Sequence, residues 1–220
     1  MCVSFLWPRG IICIQFFAVY DGLALARHKY GKNLHLFQEW NEKAAENAQK
    51  WANQCKMSIS PNKQRVLDGI FCGENIFQSN YPSTWSDAIQ VWYNKASNFK
   101  YGVGAIDPNK SIAGYTQVVW YNSYKIGCGL AYCPQSTFPY LYVCQYCPTG
   151  NLVDKMAKPY KEGPACGDCP NACDNGLCTN PCQYVDHYTN CEELKRLFHC
   201  ESDMMKQRCQ ATCSCTSEIK

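Results

Sequence analysis

The stretch "SIAGYTQVVWYNSYKIGCG", residues 111–129, decides the fold that we expect for this chain. From Tyr115 to Tyr121 its side chains alternate between two sides, with β-branched and aromatic residues on both. A period of two with these residue types predicts a buried or half-buried strand over this segment. Gly114 precedes the strand at a position typical of a site lining, although it supplies neither a metal ligand nor a base.

The flanking sequence adds helices and further strands. Residues 38–55 carry apolar side chains at steps of three and four, which predicts a helix, and Asn41 can cap it. A second helix is expected over 84–97, and further strands over about 126–132 and 139–147. Helices combined with a small antiparallel sheet predict an α+β domain.

Composition limits the functions that the chain can have. The 220 residues carry a net charge of +3 without a dense Lys/Arg block, so nucleic acid is not expected as a partner. No run of 18 or more apolar residues occurs, and we expect no transmembrane span. The 18 cysteines indicate an oxidising compartment, so the chain is expected to be secreted and extracellular.

The cysteines are sparse before residue 150 and crowded between Cys166 and Cys215. This distribution predicts a domain with its own apolar core, followed by a small domain that depends on disulfides. The "CGDC" and "CPNAC" spacings, and His187 or His199 beside cysteines, are also compatible with zinc. The even cysteine count favours disulfides, and we expect no cofactor.

The N-terminus permits more than one interpretation. Arg9 precedes the apolar run "GIICIQFFAVY", and "ALA" at 24–26 resembles a signal-peptide cleavage site before Arg27, whereas Asp21 and the short run disfavour one. Residues 1–30 are a cleaved signal peptide, a segment that replaces a missing first helix, or the product of a wrongly joined exon.

Several segments together are specific enough to indicate a family. "GENIFQSNYP", "FKYGVGA", "YTQVVWYNSYKIGCG" and "YLYVCQYCPTGNL" resemble the CAP domain of vertebrate cysteine-rich secretory proteins. "PYKEGPACGDCPNACDNGLCTNPC" resembles their hinge, and the last 34 residues resemble their ion-channel-regulator domain, whose cysteine spacing is shared with sea-anemone potassium-channel toxins (the ShKT type). The resemblance covers the chain from about residue 34 onward, with sixteen cysteines in register.

The resemblance implies an α-β-α sandwich followed by a small, mainly helical, disulfide-rich domain. The implied organisation is an atypical segment over 1–30, a CAP domain over 31–150, a linker over 151–165, a disulfide hinge over 166–181, a ShKT-like domain over 182–215 and a tail over 216–220. The implied bridges are Cys55–Cys133, Cys72–Cys147, Cys128–Cys144, Cys166–Cys173, Cys169–Cys178, Cys182–Cys215, Cys191–Cys209 and Cys200–Cys213. Spacing alone would not select these pairs.

The family cleft usually holds two histidines and two glutamates, a potential Zn²⁺ site. One family glutamate matches Glu74. The second falls near Lys95, where this chain has no acidic residue. One family histidine falls between Gly114 and Tyr115, which are adjacent in this chain. The other histidine follows Cys55, where "CKMSISPNK" has none. Because one carboxylate cannot form a zinc site, we expect no metal and no catalytic residue, and we expect Glu74 to form a structural hydrogen bond.

Other residues are candidates for contact or modification. The C-terminal domain combines aromatic, methionine and basic side chains suited to a channel vestibule: Tyr184, Tyr188, Lys195, Arg196, Phe198, Met204, Met205 and Lys206. The alternative is that its aromatic residues form the small core. Asn109 begins an Asn-Lys-Ser glycosylation sequon.

These features predict a secreted, non-enzymatic, monomeric binding protein. The resemblance implies an ion-channel modulator, with calcium channels, potassium channels and ryanodine-receptor-like channels as possible targets. It also implies an alternative: cell-surface or sterol binding in reproduction or immunity through the CAP domain. A Zn²⁺-dependent hydrolase is the least supported hypothesis. The family occurs in the male reproductive tract, saliva and reptile venoms.

Overall fold

A computed structural model describes residues 33–34, 38–174 and 176–219 of the chain. The interpretations of residues 1–30 therefore lie outside the described residues. Within the described part, no helix is long and apolar enough to cross a membrane.

A four-stranded sheet forms the centre of the N-terminal part. Its strands, in spatial order, are β2 (Glu39–Trp40), β8 (Lys125–Tyr132), β9 (Tyr140–Cys147) and β5 (Gly73–Ser79). β8, β9 and β5 pair antiparallel, and β2 pairs parallel with β8. The expected strands over about 126–132 and 139–147 correspond to β8 and β9.

Short pairs of strands surround the main sheet. They are β1 (Asn33–Leu34) with β10 (Lys161–Glu162), β3 (Val66–Leu67) with β4 (Ile70–Phe71), β6 (Phe99–Lys100) with β7 (Gly104–Ala105), and β11 (Cys173–Asp174) with β12 (Leu177–Cys178). The β1–β10 pair ties the segment after the sandwich back to the start of the described chain.

Helix α1 (Glu42–Ala52) covers one face of the sheet. Asn41 caps it by accepting a hydrogen bond from the Ala44 amide at 3.0 Å. The helix approaches β8 very closely, because a Cβ atom at Gly127 would lie 2.0 Å from the Ala45 nitrogen. The expected helix over 38–55 began too early, since residues 39–40 form β2.

Helices α2 (Trp85–Tyr93) and α3 (Ala113–Val118) pack on the opposite side. A 3₁₀ turn over Asn94–Asn98 follows α2, so the expected helix over 84–97 is largely present. The two helices and the sheet enclose the main aromatic core: Trp85, Trp92, Tyr93, Tyr115, Tyr142 and Tyr146. Together with α1, they form the expected α-β-α sandwich.

The strand expected over 115–121 is wrong, because most of that segment forms α3. Tyr115, Val118 and Val119 lie at i, i+3 and i+4, so they share one helix face and enter the main core. Residues 114–120 are all buried, so their alternation does not reflect one solvent face and one core face. A short, fully buried run does not distinguish a strand from a helix by periodicity.

The C-terminal part contains three short helices, α4 (Cys191–Phe198), α5 (Asp203–Arg208) and α6 (Gln210–Ser214). Its buried side chains are few, and most are cysteines. Asn190 occupies the N-cap of α4, and its side chain accepts no capping hydrogen bond.

Candidate functional site

Glu74 is fully engaged in hydrogen bonds inside the sandwich. The amide of Ser60 donates to its Oε1 at 2.7 Å, and the Ser60 hydroxyl donates to its Oε2 at 2.8 Å. Gln145 Nε2 also donates to Oε2 at 3.0 Å. Arg65 fixes the same loop, because its guanidinium donates to the carbonyl oxygens of Ser60 and Cys72. The carboxylate therefore holds residue 60 against β5 and β9.

The surroundings of Glu74 offer few metal ligands. The side chain of Lys95 lies beside Gly114, where its Cδ atom is 3.1 Å from the position that a Cβ atom would take. Asn75 Nδ2 donates to the Gly114 carbonyl at 3.0 Å, which closes the backbone at this point. No histidine lies near this cleft in the described ranges, so the residues present do not fit a Zn²⁺ ion.

Cysteine clusters elsewhere also do not form a metal centre. Cys166, Cys169 and Cys178 lie together, and Cys191 and Cys209 lie near a carboxylate. All of these sulfur atoms are in disulfides, so they are not available as thiolate ligands. His187 and His199 are both exposed and belong to neither cluster.

Eight disulfides link cysteines within the part of the chain that the structure describes. They are Cys55–Cys133, Cys72–Cys147, Cys128–Cys144, Cys166–Cys173, Cys169–Cys178, Cys182–Cys215, Cys191–Cys209 and Cys200–Cys213, the same pairs that the family resemblance implies. The first three lie in the sandwich, and the other five lie in the C-terminal part. Tyr124, next to β8, packs against Cys166, Cys169 and Cys178 and so joins the two parts.

The comparisons with known proteins agree with this architecture. A family profile described as "Cysteine-rich secretory protein family" matches residues 27–146, and a profile described as "Crisp" matches residues 166–220. The chain belongs to the cysteine-rich secretory protein family. Members of this family are generally non-enzymatic binding proteins, and many disulfides are typical of its secreted members.

Solved structures of the wider CAP superfamily are similar to this chain. A structure of NaASP2 with Zn²⁺ is 26% identical, covers 76% of this chain and 94% of its own, and gives a TM-score of 0.59. BmVAL-1 is 25% identical, with coverages of 80% and 96% and a TM-score of 0.59. The venom allergen-like protein 4 of Schistosoma mansoni, at 22% identity, coverages of 67% and 94% and a TM-score of 0.56, supports the fold alone.

The candidate contact residues differ in exposure. Tyr184, Tyr188, Arg196, Phe198 and Lys206 are exposed, whereas Met204 is half-buried. Neither tyrosine belongs to the small core, so the alternative that the aromatic residues form that core is wrong for Tyr184 and Tyr188.

Two of the candidates are not available in the way that the sequence suggested. Met205, in the first turn of α5, is fully buried against Cys191 and Cys209. Lys195 donates through its ammonium group to the Thr212 carbonyl at 3.0 Å, so its charge fixes α4 on α6. Met205 is therefore a core residue, and Lys195 has a structural partner.

The sequence interpretation missed one exposed residue, Leu197. Its side chain is 71% exposed and follows Arg196 on α4, next to Phe198, which is 52% exposed. Cys191 and Leu194 lie on the inner face of this helix, but Leu197 follows Leu194 at i+3, so helical spacing alone did not mark Leu197 as exposed. The pair forms an exposed apolar end on a helix with basic neighbours.

The sequon lies in an exposed and well-defined loop. Asn109 is exposed, and its backbone N–H donates to Asp107 Oδ1 at 3.0 Å. The Asn98 side chain donates to the carbonyls of Asp107 and Lys110 at 3.0 and 2.8 Å, which holds the loop in place. Glycosylation of Asn109 stays a prediction.

Proposed function

We propose that this protein is a secreted, non-enzymatic ion-channel modulator whose contact with the channel is centred on Leu197 and Phe198. The observation that carries the proposal is this exposed apolar pair at the end of α4, beside Arg196. Apolar and aromatic anchors with a neighbouring arginine are the residue types that dominate protein interfaces.

The framework around the pair supports a preformed contact surface. The Cys191–Cys209 bridge joins the start of α4 to the end of α5, and the Lys195 ammonium group binds α6. Because the helix is fixed before binding, association loses less conformational entropy than it would with a flexible segment. Calcium, potassium and ryanodine-receptor-like channels are the targets that the family resemblance implies.

Whole-cell recording with the full-length protein tests the proposal. On a panel of these channels, we expect at least one current to change at micromolar protein. The double variant Leu197→Ser/Phe198→Ser should then lose at least about tenfold in potency, since a central interface anchor contributes about 2 kcal/mol or more. A control, Tyr132→Ser/Phe138→Ser, replaces two exposed residues on the other part of the molecule.

Either of two results would contradict the proposal. Wild-type protein without effect on any channel of the panel would exclude channel modulation at this concentration. A double variant as potent as the wild type would exclude Leu197 and Phe198 as the contact. The control should keep wild-type potency.

A second candidate function is sterol or cell-surface binding through the sandwich, which one surface supports. The loops after β5 and after β8, with the residues that flank them over 79–86 and 132–140, contain no charged residue, and they expose Tyr81, Tyr132 and Phe138. Both loops lie at the same end of the sheet, because Ser79 pairs with Tyr140. Uncharged loops rich in tyrosine and proline suit a neutral membrane interface or a sterol ring system.

Sedimentation with neutral phosphatidylcholine vesicles, with and without cholesterol, tests this second candidate. Cholesterol-dependent binding that Tyr132→Ser/Phe138→Ser removes, and that Leu197→Ser/Phe198→Ser leaves intact, would support it. No sedimentation with either vesicle would exclude it.

A further inference from the structure

A cleft of about 320 Å³ lies between the sandwich and the C-terminal part. On one side the β3–β4 hairpin and the segment after β8 border it, and on the other side the loop from Cys182 to Glu192 does. This volume lies in the range of pockets that hold small organic molecules. None of the functions considered above uses the cleft, and neither Leu197 nor Phe198 lines it.

Aromatic rings form much of the wall of the cleft. Phe71, at the end of the β3–β4 hairpin, contributes an exposed ring on one side. Tyr184 and Tyr188 contribute exposed rings from the C-terminal part, and Trp120 and Tyr121 line the cleft from the sandwich. The faces of aromatic rings carry negative potential, so a set of rings around one cavity favours a cation within it.

The charged groups along the cleft add to this preference. Among the described residues that line it, Asp186 and Glu192 carry negative charge, and Lys155 carries positive charge beside the imidazole of His187. Asp186 accepts from the Thr212 amide at 3.0 Å and from the Thr212 hydroxyl at 2.6 Å, which fixes the position of its carboxylate. Burial, and secondarily the charge of Asp186, raises the pKa of Tyr121, so that phenol stays neutral at physiological pH.

A hydrogen-bond acceptor without a partner completes the lining. Asn122 lines the cleft, and its Oδ1 atom is buried without a hydrogen-bond partner. A buried acceptor of this kind costs free energy unless a donor reaches it. An ammonium N–H group is such a donor, whereas a ligand that only accepts hydrogen bonds would leave Asn122 unsatisfied.

We propose that this cleft binds a small organic ammonium ion with an apolar or aromatic body. The ammonium group would lie among the aromatic rings near Asp186 and Glu192 and would donate to Asn122 Oδ1. The apolar body would pack on Phe71, Tyr184 and Tyr188. A carboxylate or phosphate ligand would meet the two acidic side chains and is disfavoured.

Titration of the full-length protein with 2-phenylethylamine, followed by ligand-observed saturation-transfer NMR and calorimetry, tests the proposal. Its neutral analogue 2-phenylethanol has the same aromatic body and no positive charge. We expect the amine to bind at least about tenfold more tightly than the alcohol, because the aromatic rings and the acidic side chains favour a positive charge in the cleft.

Variants locate the site. Tyr184→Ala/Tyr188→Ala should weaken amine binding by about tenfold, and Phe71→Ala should weaken it from the opposite wall. Tyr132→Ala, an exposed tyrosine outside the cleft, should bind the amine as the wild type does. Two walls are tested separately so that a folding defect in one variant does not decide the result.

Three outcomes would overturn the proposal. The first is equal binding of the amine and the alcohol, because the cleft would then be a neutral apolar pocket. The second is no binding of the amine at millimolar concentration. The third is amine binding that persists unchanged in both the Phe71 variant and the double tyrosine variant.

Discussion

The sandwich and the C-terminal cysteine-rich part are stabilised in different ways. The sandwich encloses a continuous aromatic core, in which Trp85 packs edge-on against Tyr142 at 5.2 Å between ring centroids. The C-terminal part buries few large side chains apart from Met205 and instead relies on five of the eight disulfides. Apolar burial therefore stabilises the first part, whereas cross-linking stabilises the second.

This difference fits the proposed division of function. A region whose side chains are not needed for a core can expose apolar residues such as Leu197 and Phe198 while the bridges keep its backbone fixed. The sandwich has the opposite organisation, since even Glu74 is used to hold a loop. The sandwich thus uses the Glu74 carboxylate for structure, whereas the C-terminal part leaves the apolar end of α4 exposed.

The largest expected effect is the different loss of folded structure when either of two disulfides of nearly equal span is removed. Cys191–Cys209 closes 18 residues in the C-terminal part, and Cys128–Cys144 closes 16 residues within the sheet. Loop closure gives each about 3 kcal/mol, so the entropic terms match. We expect Cys191→Ala/Cys209→Ala to unfold the C-terminal part, because little core remains there, whereas Cys128→Ala/Cys144→Ala should leave the sandwich folded.

Hydrogen exchange measured by mass spectrometry checks this difference. In the first variant, amides of α4 to α6 should lose protection while those of α1, β8 and β9 keep it. Equal protection of α4 to α6 in both variants would show that the C-terminal part does not depend on its bridges.

A smaller effect is expected from Glu74→Gln. A glutamine has one acceptor oxygen, so it cannot accept from the Ser60 backbone amide at one position and from the Ser60 hydroxyl and Gln145 at the other, and at least one buried hydrogen bond is lost. We expect a loss of about 1–3 kcal/mol in the free energy of unfolding, measured in urea. Glu46→Gln, at an exposed ion pair, is the control and should change nothing measurable. An unchanged free energy of unfolding in Glu74→Gln would mean that the carboxylate is not structural.

The smallest expected effect is the difference in stability lost when the N-cap residues of two helices are replaced. Thr84 and Asp87 form a capping box at α2, in which the Asp87 amide donates to the Thr84 hydroxyl at 3.1 Å, whereas the Asn190 side chain makes no capping bond at α4. Thr84→Ala should cost about 1 kcal/mol, and Asn190→Ala should cost much less. Thermal unfolding of both variants checks the order, and equal losses would contradict it.

The same cap predicts a dependence on pH. Hydrogen bonds from the Thr84 side chain, and then from its backbone, lower the pKa of Asp87. A carboxyl whose pKa is lowered in the folded state stabilises the fold above its unfolded pKa, and the contribution is lost as pH falls through the folded pKa. Below about pH 4, Thr84→Ala should therefore cost less than at neutral pH. An unchanged cost would mean that Asp87 does not contribute to the cap.

The sequence predicted much of the fold because local signals and the family pattern agreed. Asn41 marked the start of α1, and β8 and β9 had clear strand patterns. The α3 segment could not be predicted in this way, because residues 114–120 are buried on all sides and their periodicity carries no information about a solvent face. The tertiary contact between Gly114 and Lys95 likewise cannot be read from the local sequence pattern.

Some site residues were predicted from the sequence and others were not, for a similar reason. The sequence identified Glu74 as structural because its expected metal partners were absent from the chain. It did not distinguish Met205 from Met204, because the direction of a short helix in a disulfide-rich region depends on which cysteines pair. Leu197 was missed because it follows Leu194 at i+3, so helical spacing alone does not place it outside the buried face.

The central claim, a secreted binding protein built on eight bridges, is tested most directly by secretion from a vertebrate cell line followed by thiol mapping. The protein collected from the medium is alkylated without reduction, digested and analysed by mass spectrometry. We expect all sixteen cysteines from Cys55 to Cys215 to be unmodified and to appear in the eight pairs of the structure. Retention of the chain inside the cell, or alkylated cysteines within either part, would contradict the claim.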